Sequence, residues 1–331
     1  MVYIRNFVLF AIGMAICSVW MRANDLTEEV RRIRLLEDEG HLPQAIQATS
    51  ILIDTLERSG ARASLIAEAL DRRASLEQDL GDFAEGERDY SKAITLWEAA
   101  TVWRPLSLAT ELNNLASLYS STGQFTKAEG LRRRSLALRL QFSDSDGPET
   151  ALSLSNLAID LFRQDRYLEA VSLCHQALDI WAKADSQRNR SDLALNTLAV
   201  IELKELHFQN GLSLALAALR RYETCPRPTK VQRVAYEHTI ALAREANGQF
   251  AKAQQTFETA RNLLQGTEHP PALEEYSLFR DYAHLLCILK RKKQSKQLLR
   301  EANAAISHLH GLDTQRYTVD LNALLSAPSK K

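Results

Sequence analysis

The sequence predicts an all-α protein built from repeated helix pairs. Gly (12) and Pro (8) are scarce among the 331 residues, whereas Leu, Ala, Glu and Arg, which favour helix, dominate. Apolar residues recur every three or four positions, as on the buried stripe of an amphipathic helix, and runs with strand-like alternation are missing. The chain also repeats itself about every 42 residues. Helix pairs that recur at a fixed interval are typical of an α-solenoid.

The N-terminal segment differs in kind from the rest. Arg5 precedes an uncharged, mostly apolar run of 14 residues, 7–20. That run has the length of a signal-peptide core and is short for a transmembrane helix. We therefore expect residues 1–23 to form a signal peptide, cleaved near Cys17 or Ala23, and the protein to be exported to the periplasm or the extracellular space. An uncleaved N-terminal membrane anchor is the alternative.

The clearest repeat lies between Thr110 and Leu140. Apolar residues recur on both sides of Gly123, which predicts two helices joined by a tight turn. The small residues Ala116, Ala128 and Ser135 stand where two close-packed helices would touch. One such pair cannot bury its apolar face alone, so neighbouring copies must cover it.

Aligning the chain on itself extends this pair to seven. The spacing of small and aromatic residues is best kept in the middle copies and decays at both ends, where a repeat faces water on one side. The predicted pairs occupy residues 25–58, 64–100, 106–142, 149–184, 190–225, 231–266 and 273–309. Turn-forming residues are expected to end five first helices: Gly40, Gly81, Gly123, Asp165 and Gly248. Residues 311–331 are expected to form a short closing helix and a frayed tail.

This pattern resembles the tetratricopeptide repeat family. The family's small and aromatic signature is matched by Ala116, Tyr119, Phe125, Ala128 and Ser135, and again by Ala241, Phe250, Ala253 and Ala260. Phe257 fills a further aromatic position, where the earlier copy has Arg132. The 42-residue spacing is most similar to the kinesin-light-chain type of this repeat. The resemblance covers about residues 25–310 and implies a right-handed superhelix whose concave groove binds peptides or protein segments.

The resemblance also implies that the first helix of each pair lines the groove. An asparagine amide carries both a donor and an acceptor, so a row of them can pair with an extended peptide backbone. The other interpretation is that these amides link neighbouring helices and only hold the superhelix. The candidate groove residues are Asn113, Asn114, Ser117, Ser155, Asn156, Arg163, Asn196, Thr197, Lys204 and His238. Apolar residues expected beside them are Ile159, Phe162, Val200, Leu203 and Leu242.

Charge limits the choice of partners. The chain has 41 Lys and Arg against 41 Asp and Glu, so neither nucleic acid nor a strongly anionic surface is expected as a partner. Relatives with a carboxylate-binding clamp place Lys or Arg at inward positions where this chain has Asn113, Ser155 and Asn196. That difference argues against chaperone-tail binding of the clamp type.

Nothing in the sequence has the pattern of a catalytic or metal site. The four cysteines are far apart, so neither a disulfide scaffold nor a zinc motif is expected. His175 adjoins Cys174, but adjacent side chains on a helix point about 100° apart and cannot form a dyad. Glu274 and Glu275 are interpreted as helix-start charges. We predict a non-catalytic scaffold without cofactors that binds a protein or peptide partner. The alternatives are a membrane-anchored assembly factor and a non-catalytic sensor or enzyme-accessory subunit.

Overall fold

The computed structural model describes residues 27–183, 189–225, 229–267, 270 and 272–307. These residues form helices and turns without any strand, which confirms the all-α prediction. The expected signal peptide at 1–23 and the expected closing segment at 311–331 lie outside the described residues. No helix in the described ranges has both the length and the apolar character that crossing a membrane requires.

The described chain contains fourteen helices, α1 to α14. Helix α1 spans residues 27–38. The others are α2 (Leu42–Arg58), α3 (Ala63–Leu80), α4 (Phe83–Glu98), α5 (Pro105–Ser121), α6 (Phe125–Phe142), α7 (Pro148–Arg163), α8 (Tyr167–Lys183), α9 (Ser191–Lys204), α10 (Phe208–Tyr222), α11 (Lys230–Ala246), α12 (Phe250–Gln265), α13 (Ala272–Ile288) and α14 (Lys292–Ala305). Each odd-numbered helix is the first of a pair and each even-numbered helix is the second. Second helices begin every 41 or 42 residues, from Leu42 to Lys292, which confirms the predicted period.

Local sequence explains where several helices begin. Proline lies in the first turn of α2, α5 and α7, as Pro43, Pro105 and Pro148. At that position its missing N–H has no intrahelical partner to lose. The Thr229 side chain caps α11 by accepting a hydrogen bond from the Gln232 backbone N–H at 3.3 Å. These signals set the start of a helix, and the repeat contacts then decide which face it buries.

Left-handed backbone ends the first helices where the sequence predicts it. Gly40, Gly81, Gly123, Asp165 and Gly248 all have positive φ, between 60° and 89°. Leu206 (φ 66°) and Lys290 (φ 63°) occupy the same place after α9 and α13. Neither residue type indicates such a turn, because a side chain makes left-handed backbone costly. The sequence therefore predicts five of these turns and misses two.

The described chain divides into two compact units, with α1 to α4 in the first unit and α5 to α14 in the second. The first unit ends at Arg104 and the second begins at Pro105. In the second unit, each helix packs against the other helix of its pair and against the next helix along the chain. The first helices also touch in sequence, α7 with α9, α9 with α11, and α11 with α13. These four helices therefore share one face, which is the face predicted to carry the groove.

Small residues lie where the helices of a pair meet. Ala116 and Ala128 are fully buried, and Ser135 is 1% exposed. The Ser135 hydroxyl donates a hydrogen bond of 2.5 Å to the Ala109 carbonyl on the facing helix. A larger side chain at these positions would push the helices apart, because protein interiors are already close-packed. The predicted role of these residues in packing is confirmed.

Candidate functional site

The candidate site is a pocket on the face shared by α7, α9, α11 and α13. Its volume is about 180 Å³. Helix α7 contributes Ile159, Phe162 and Arg163, α9 contributes Leu193, Asn196, Thr197, Val200 and Lys204, α11 contributes Gln232, Ala235, Tyr236, His238, Thr239 and Leu242, and α13 contributes Glu274, Ser277 and Asp281. The pocket is thus built from helices alone, each a first helix of its pair.

Apolar side chains form much of the pocket wall. Ile159, Phe162, Val200 and Leu242 line it, as the phase of the repeat predicts. Leu203 does not, because it is fully buried and packs in the core with Val234 and Phe257. The expectation that Leu203 faces the groove is therefore wrong. One residue corresponds to a rotation of about 100° around the helix, which separates Leu203 in the core from Lys204 in the pocket.

Two basic residues reach the pocket from helix ends. Arg163 is the last residue of α7 and Lys204 is the last residue of α9. Arg163 Nη2 lies 3.7 Å from Glu274 Oε1 on α13. Lys204 Nζ lies 5.7 Å from the centre of the Phe162 ring and 4.0 Å from Asp165 Oδ1. Both charges also suit the negative end of their helix dipoles.

A buried network of histidines and carboxylates joins α11 to α13 beside the pocket. His238 Nε2 is 3.0 Å from Asp281 Oδ2, and the Arg280 guanidinium donates to Asp281 Oδ1 at 3.2 Å. One turn further, His284 Nδ1 is 2.8 Å from Glu245 Oε1. Burial raises the pKa of Glu245, and the nearby His284 opposes that shift. These pairs fix His238 and Asp281 in the pocket wall.

The pocket also holds a polar atom without a partner. Asn196 Oδ1 is buried and accepts no hydrogen bond. Leaving a buried acceptor unsatisfied costs about 1–3 kcal/mol. The neighbouring Thr197 hydroxyl is satisfied, since it donates to the Leu193 carbonyl at 2.9 Å. Of these two predicted residues, Asn196 retains an unused hydrogen-bonding group.

The other predicted groove residues lie outside this pocket. Asn113 Oδ1 accepts hydrogen bonds from Arg132 Nη1 at 2.8 Å and from Asn156 Nδ2 at 3.4 Å. The Ser117 hydroxyl donates to the Asn113 carbonyl within the same helix, and Asn114 is half-buried. Asn113 and Asn156 thus link neighbouring first helices. This agrees with the second interpretation of the asparagines, in which their amides hold the superhelix together.

Ser155 has no accessible surface. Its side chain is fully buried, and its hydroxyl donates to the Ala151 carbonyl at 2.9 Å. A partner seated on the helix face cannot reach it. A serine hydroxyl can donate to a backbone carbonyl of its own helix. A serine at this position of the repeat therefore need not face the groove.

A buried ion pair explains why Asn113 is engaged. Arg132 Nε donates to Asp160 Oδ2 at 2.5 Å, and the Ser120 hydroxyl donates to Asp160 Oδ1 at 2.8 Å. Arg132 is 5% exposed and Asp160 is fully buried. Burial raises the pKa of Asp160, and the charge of Arg132 opposes the shift. Asn113 completes the shell of hydrogen bonds around a buried charge.

Sequence reasoning missed the second role of Glu274. It lies in the first turn of α13, as expected of a helix-start charge, but it also lines the pocket and pairs with Arg163. The two residues are 111 positions apart in the sequence. Only the stacking of four helix pairs brings them together, and no local pattern signals it.

One further cluster has the composition of a metal site. Glu202 at the end of α9, and Glu205 and His207 in the turn that follows it, each place a ligand atom within 4.8 Å of the others. His207 Nδ1 is 3.1 Å from Glu202 Oε2. Exposed acids and histidines often form such pairs without a metal, and we assign no metal site to them.

Comparison with known proteins identifies the fold. Residues 106–183 match the family model of the tetratricopeptide repeat, which confirms the resemblance seen in the sequence. No curated protein matches the chain.

Several solved structures share the architecture. The apo form of RapI has a TM-score of 0.66 at 14% identity, covering 85% of this chain and 97% of that one. A Rap protein in complex with competence and sporulation factor has a TM-score of 0.61 at 12% identity, covering 87% of this chain and 78% of that one. A tetratricopeptide repeat protein from Parabacteroides merdae ATCC 43184 has a TM-score of 0.55 at 16% identity, covering 88% and 95%. These likenesses show the fold.

Proposed function

We propose that this tetratricopeptide-repeat array is a non-catalytic scaffold that binds a segment of a protein or peptide partner in the pocket on α7, α9, α11 and α13. The observation that carries the proposal is the pocket itself, in which four consecutive first helices present apolar walls and polar ends. Helices position these side chains before the partner arrives. A preformed surface reduces the ordering cost that binding must overcome.

Hydrogen bonding adds to shape in this mechanism. The Asn196 amide can turn about its Cβ–Cγ bond and offer either its oxygen or its amine to the partner. Binding would then satisfy an acceptor that has no partner within the protein. One such bond contributes about 0.5–1.5 kcal/mol net. The apolar contacts with Phe162 and Val200, which are half-buried, must therefore supply most of the affinity.

The similar Rap protein in complex with competence and sporulation factor supports this proposal at the level of the fold. An array of this architecture can hold another molecule. With 12% identity, that structure says nothing about which partner this chain binds.

Site-specific photocrosslinking tests the proposal. Gln232 lines the pocket and is half-buried, so a photoreactive residue in its place should crosslink to a partner in native cell-envelope extract. Leu168 on α8 is 86% exposed and lies away from the pocket, which makes it the matched control position. Filling the pocket by Val200→Trp should abolish the crosslink from position 232. Equal crosslinking from both positions, or a crosslink that survives Val200→Trp, would contradict pocket binding.

We also propose that the protein is exported, on the strength of the apolar run at 7–20 that follows Arg5. Sequencing the N-terminus of the mature protein tests this. A new N-terminus close to Cys17 or Ala23 supports cleavage and export. An intact Met1 in the membrane fraction would favour the anchored alternative, and an intact Met1 in the cytoplasm would contradict both.

A further inference from the structure

The cations of the pocket occupy a position that most of the neighbouring repeats leave uncharged. Arg163 and Lys204 end α7 and α9, whereas α5, α11 and α13 end in Ser121, Ala246 and Ile288. Both basic residues line the pocket, with side chains that are 24% and 23% exposed. Positive charge is therefore placed on two adjacent first helices at one end of the pocket.

A carboxylate near Arg163 comes from across the pocket. Glu274 belongs to α13, and α9 and α11 lie between α13 and α7 in the row of first helices. The 3.7 Å distance from Arg163 Nη2 to Glu274 Oε1 exceeds that of a direct hydrogen bond. Part-exposed ion pairs of this kind contribute about 0–1 kcal/mol to the stability of a protein. A ligand carboxylate could replace Glu274 at small cost.

The second carboxylate of the pocket is held differently. Asp281 is 5% exposed, and both of its oxygens are engaged, one with His238 at 3.0 Å and one with Arg280 at 3.2 Å. It is therefore not available to attract a basic ligand. A basic ligand would meet both Arg163 and Lys204, whose nearby carboxylates, Glu274 at 3.7 Å and Asp165 at 4.0 Å, lie beyond direct hydrogen-bond distance.

Apolar side chains lie beside the two cations. Ile159 and Phe162 come from the same helix as Arg163, and Val200 lies one turn before Lys204. An occupant that matches this wall must bring apolar surface together with its charge. A free inorganic anion would leave the wall uncovered.

We infer that the partner segment bound in this pocket carries an acidic side chain next to apolar ones, and that Glu274 takes the place of that acidic group in the empty protein. This inference rests on the proposed function, because it names the chemistry of the occupant of the same pocket. Arg163 and Lys204 bind the incoming carboxylate, and Glu274 acts as an internal competitor that offsets part of their charge in the empty pocket.

Three capped tripeptides test the inference on the full chain. The probes are acetyl-Leu-Glu-Leu-amide and its Gln and Lys analogues, which differ only in one side chain. Binding is followed by methyl NMR at Val200 and Leu242, which locates the probe in the pocket. We expect the Glu peptide to bind about tenfold more tightly than the Gln peptide, as for one well-placed charge pair, and its advantage to shrink with added salt.

Variants test the role of Glu274 separately from that of the two cations. Glu274→Gln should strengthen binding of the Glu peptide several-fold, whereas Glu275→Gln, which neutralises the next residue of the same helix turn outside the pocket lining, should not. Arg163→Gln combined with Lys204→Gln should remove the preference for the Glu peptide while the melting temperature stays within a few degrees. Glutamine removes the charge of both side chains but stays polar, and the melting temperature reports separately whether the fold is kept.

Several outcomes would overturn the inference. They are equal binding of the Gln or Lys peptide, no binding of any probe, and weaker binding of the Glu peptide to Glu274→Gln. The photocrosslink from position 232 distinguishes this failure from that of the proposed function. If the crosslink persists, the pocket binds a partner whose chemistry is not acidic, and if it is lost as well, the pocket is not the binding site.

Discussion

Asn113 and Asn196 occupy equivalent positions in the repeat but have different surroundings. Nineteen residues after Asn113 stands Arg132, whose Nη1 donates to the Asn113 amide at 2.8 Å. Nineteen residues after Asn196 stands Ala215, which is fully buried and has no donor to offer. This difference explains why Asn196 Oδ1 lacks a partner. The same residue type therefore serves packing in one repeat and remains available for binding in another.

Replacing each of these asparagines with Ala should give opposite results. Asn113→Ala leaves a buried Arg132 N–H without its acceptor and should lower the free energy of unfolding by about 1–3 kcal/mol. Asn196→Ala removes a buried acceptor that has no partner and should raise that free energy by up to about 1 kcal/mol, yet weaken the partner crosslink. Urea denaturation followed by circular dichroism measures both. A stable Asn113→Ala variant would show that the amide contributes nothing to holding Arg132.

At this scale the sequence predicts part of the site. Five of the residues that the phase of the first helices predicts for the groove line one pocket, namely Arg163, Asn196, Thr197, Lys204 and His238. It does not indicate which amides are already bonded, because that depends on the residue facing them from the second helix. Arg132 is visible in the sequence as a break in the aromatic signature. Its partner Asp160 stands in the next pair and carries no comparable signal.

The contact between α6 and α7 uses an ion pair where another contact of the array is apolar. Arg132 corresponds to Phe257 in the repeat, and Asp160 corresponds to Leu285. Phe257 and Leu285 are fully buried in one apolar cluster between α12 and α13. The repeat thus tolerates two solutions at one interface, and the charged one fixes the orientation of its partners.

A double-mutant cycle compares these two solutions. Arg132→Phe or Asp160→Leu alone leaves an uncompensated buried charge and should destabilise the protein by about 3–5 kcal/mol. The two changes together recreate the Phe257–Leu285 arrangement and should cost much less than the sum of the single changes. Denaturant midpoints of the four proteins give the coupling energy. Additive effects would show that the pair is not energetically coupled.

Residue type predicts the conformation of the turns less well than that of the helices. Glycine identifies the left-handed residue after α3, α5 and α11, but Leu206 adopts the same backbone after α9. The fixed repeat length imposes that geometry, since α10 must begin at Phe208 to keep its place against α9. Tertiary packing therefore overrides local preference at Leu206.

Lys290→Gly should stabilise the protein by about 0.5 kcal/mol, because a non-glycine residue in left-handed backbone costs about 1–2 kcal/mol and glycine loses about 0.5–1 kcal/mol of entropy on folding. Lys290 has the same left-handed backbone as Leu206, and its side chain is exposed, so little burial is lost. The matched control is Gly248→Lys, at the equivalent turn 42 residues earlier, which should destabilise by a similar amount. Thermal melts that move in the same direction for both variants would contradict this account.

Both units of the molecule bury carboxyls that are costly to ionise. In the second unit these include Asp160 and Glu245, whose pKa values are raised by burial, and the first unit contains another. Glu77 on α3 is 7% exposed, and its Oε2 accepts no hydrogen bond. Arg73 lies 3.7 Å from Glu77 Oε1 but binds Asp89 more closely, at 2.5 Å. Burial, and then the charge of Asp89, raise the pKa of Glu77 from about 4.5 to about 7.

The stability of the first unit should therefore fall as pH rises from about 4.5 to about 7. Across that range the unfolded chain releases the Glu77 proton while the folded unit retains it, so ionisation favours unfolding. The free energy of unfolding should fall by about 1–2 kcal/mol over this range. This is less than the full pKa shift of Glu77 implies, because solvent screens part of the charge.

Trp97 is buried in the first unit and Trp181 in the second, so single-tryptophan variants report the melting of each unit separately. Glu77→Gln should remove the pH dependence of the Trp97 melt, because the amide cannot ionise and so adds no cost as pH rises. Glu68→Gln, at an exposed position of the same helix, should leave that dependence unchanged. A Trp97 melt that stays pH-dependent in Glu77→Gln would assign the effect to another group. A Trp181 melt that loses its own pH dependence on Glu77→Gln would show that the two units unfold together.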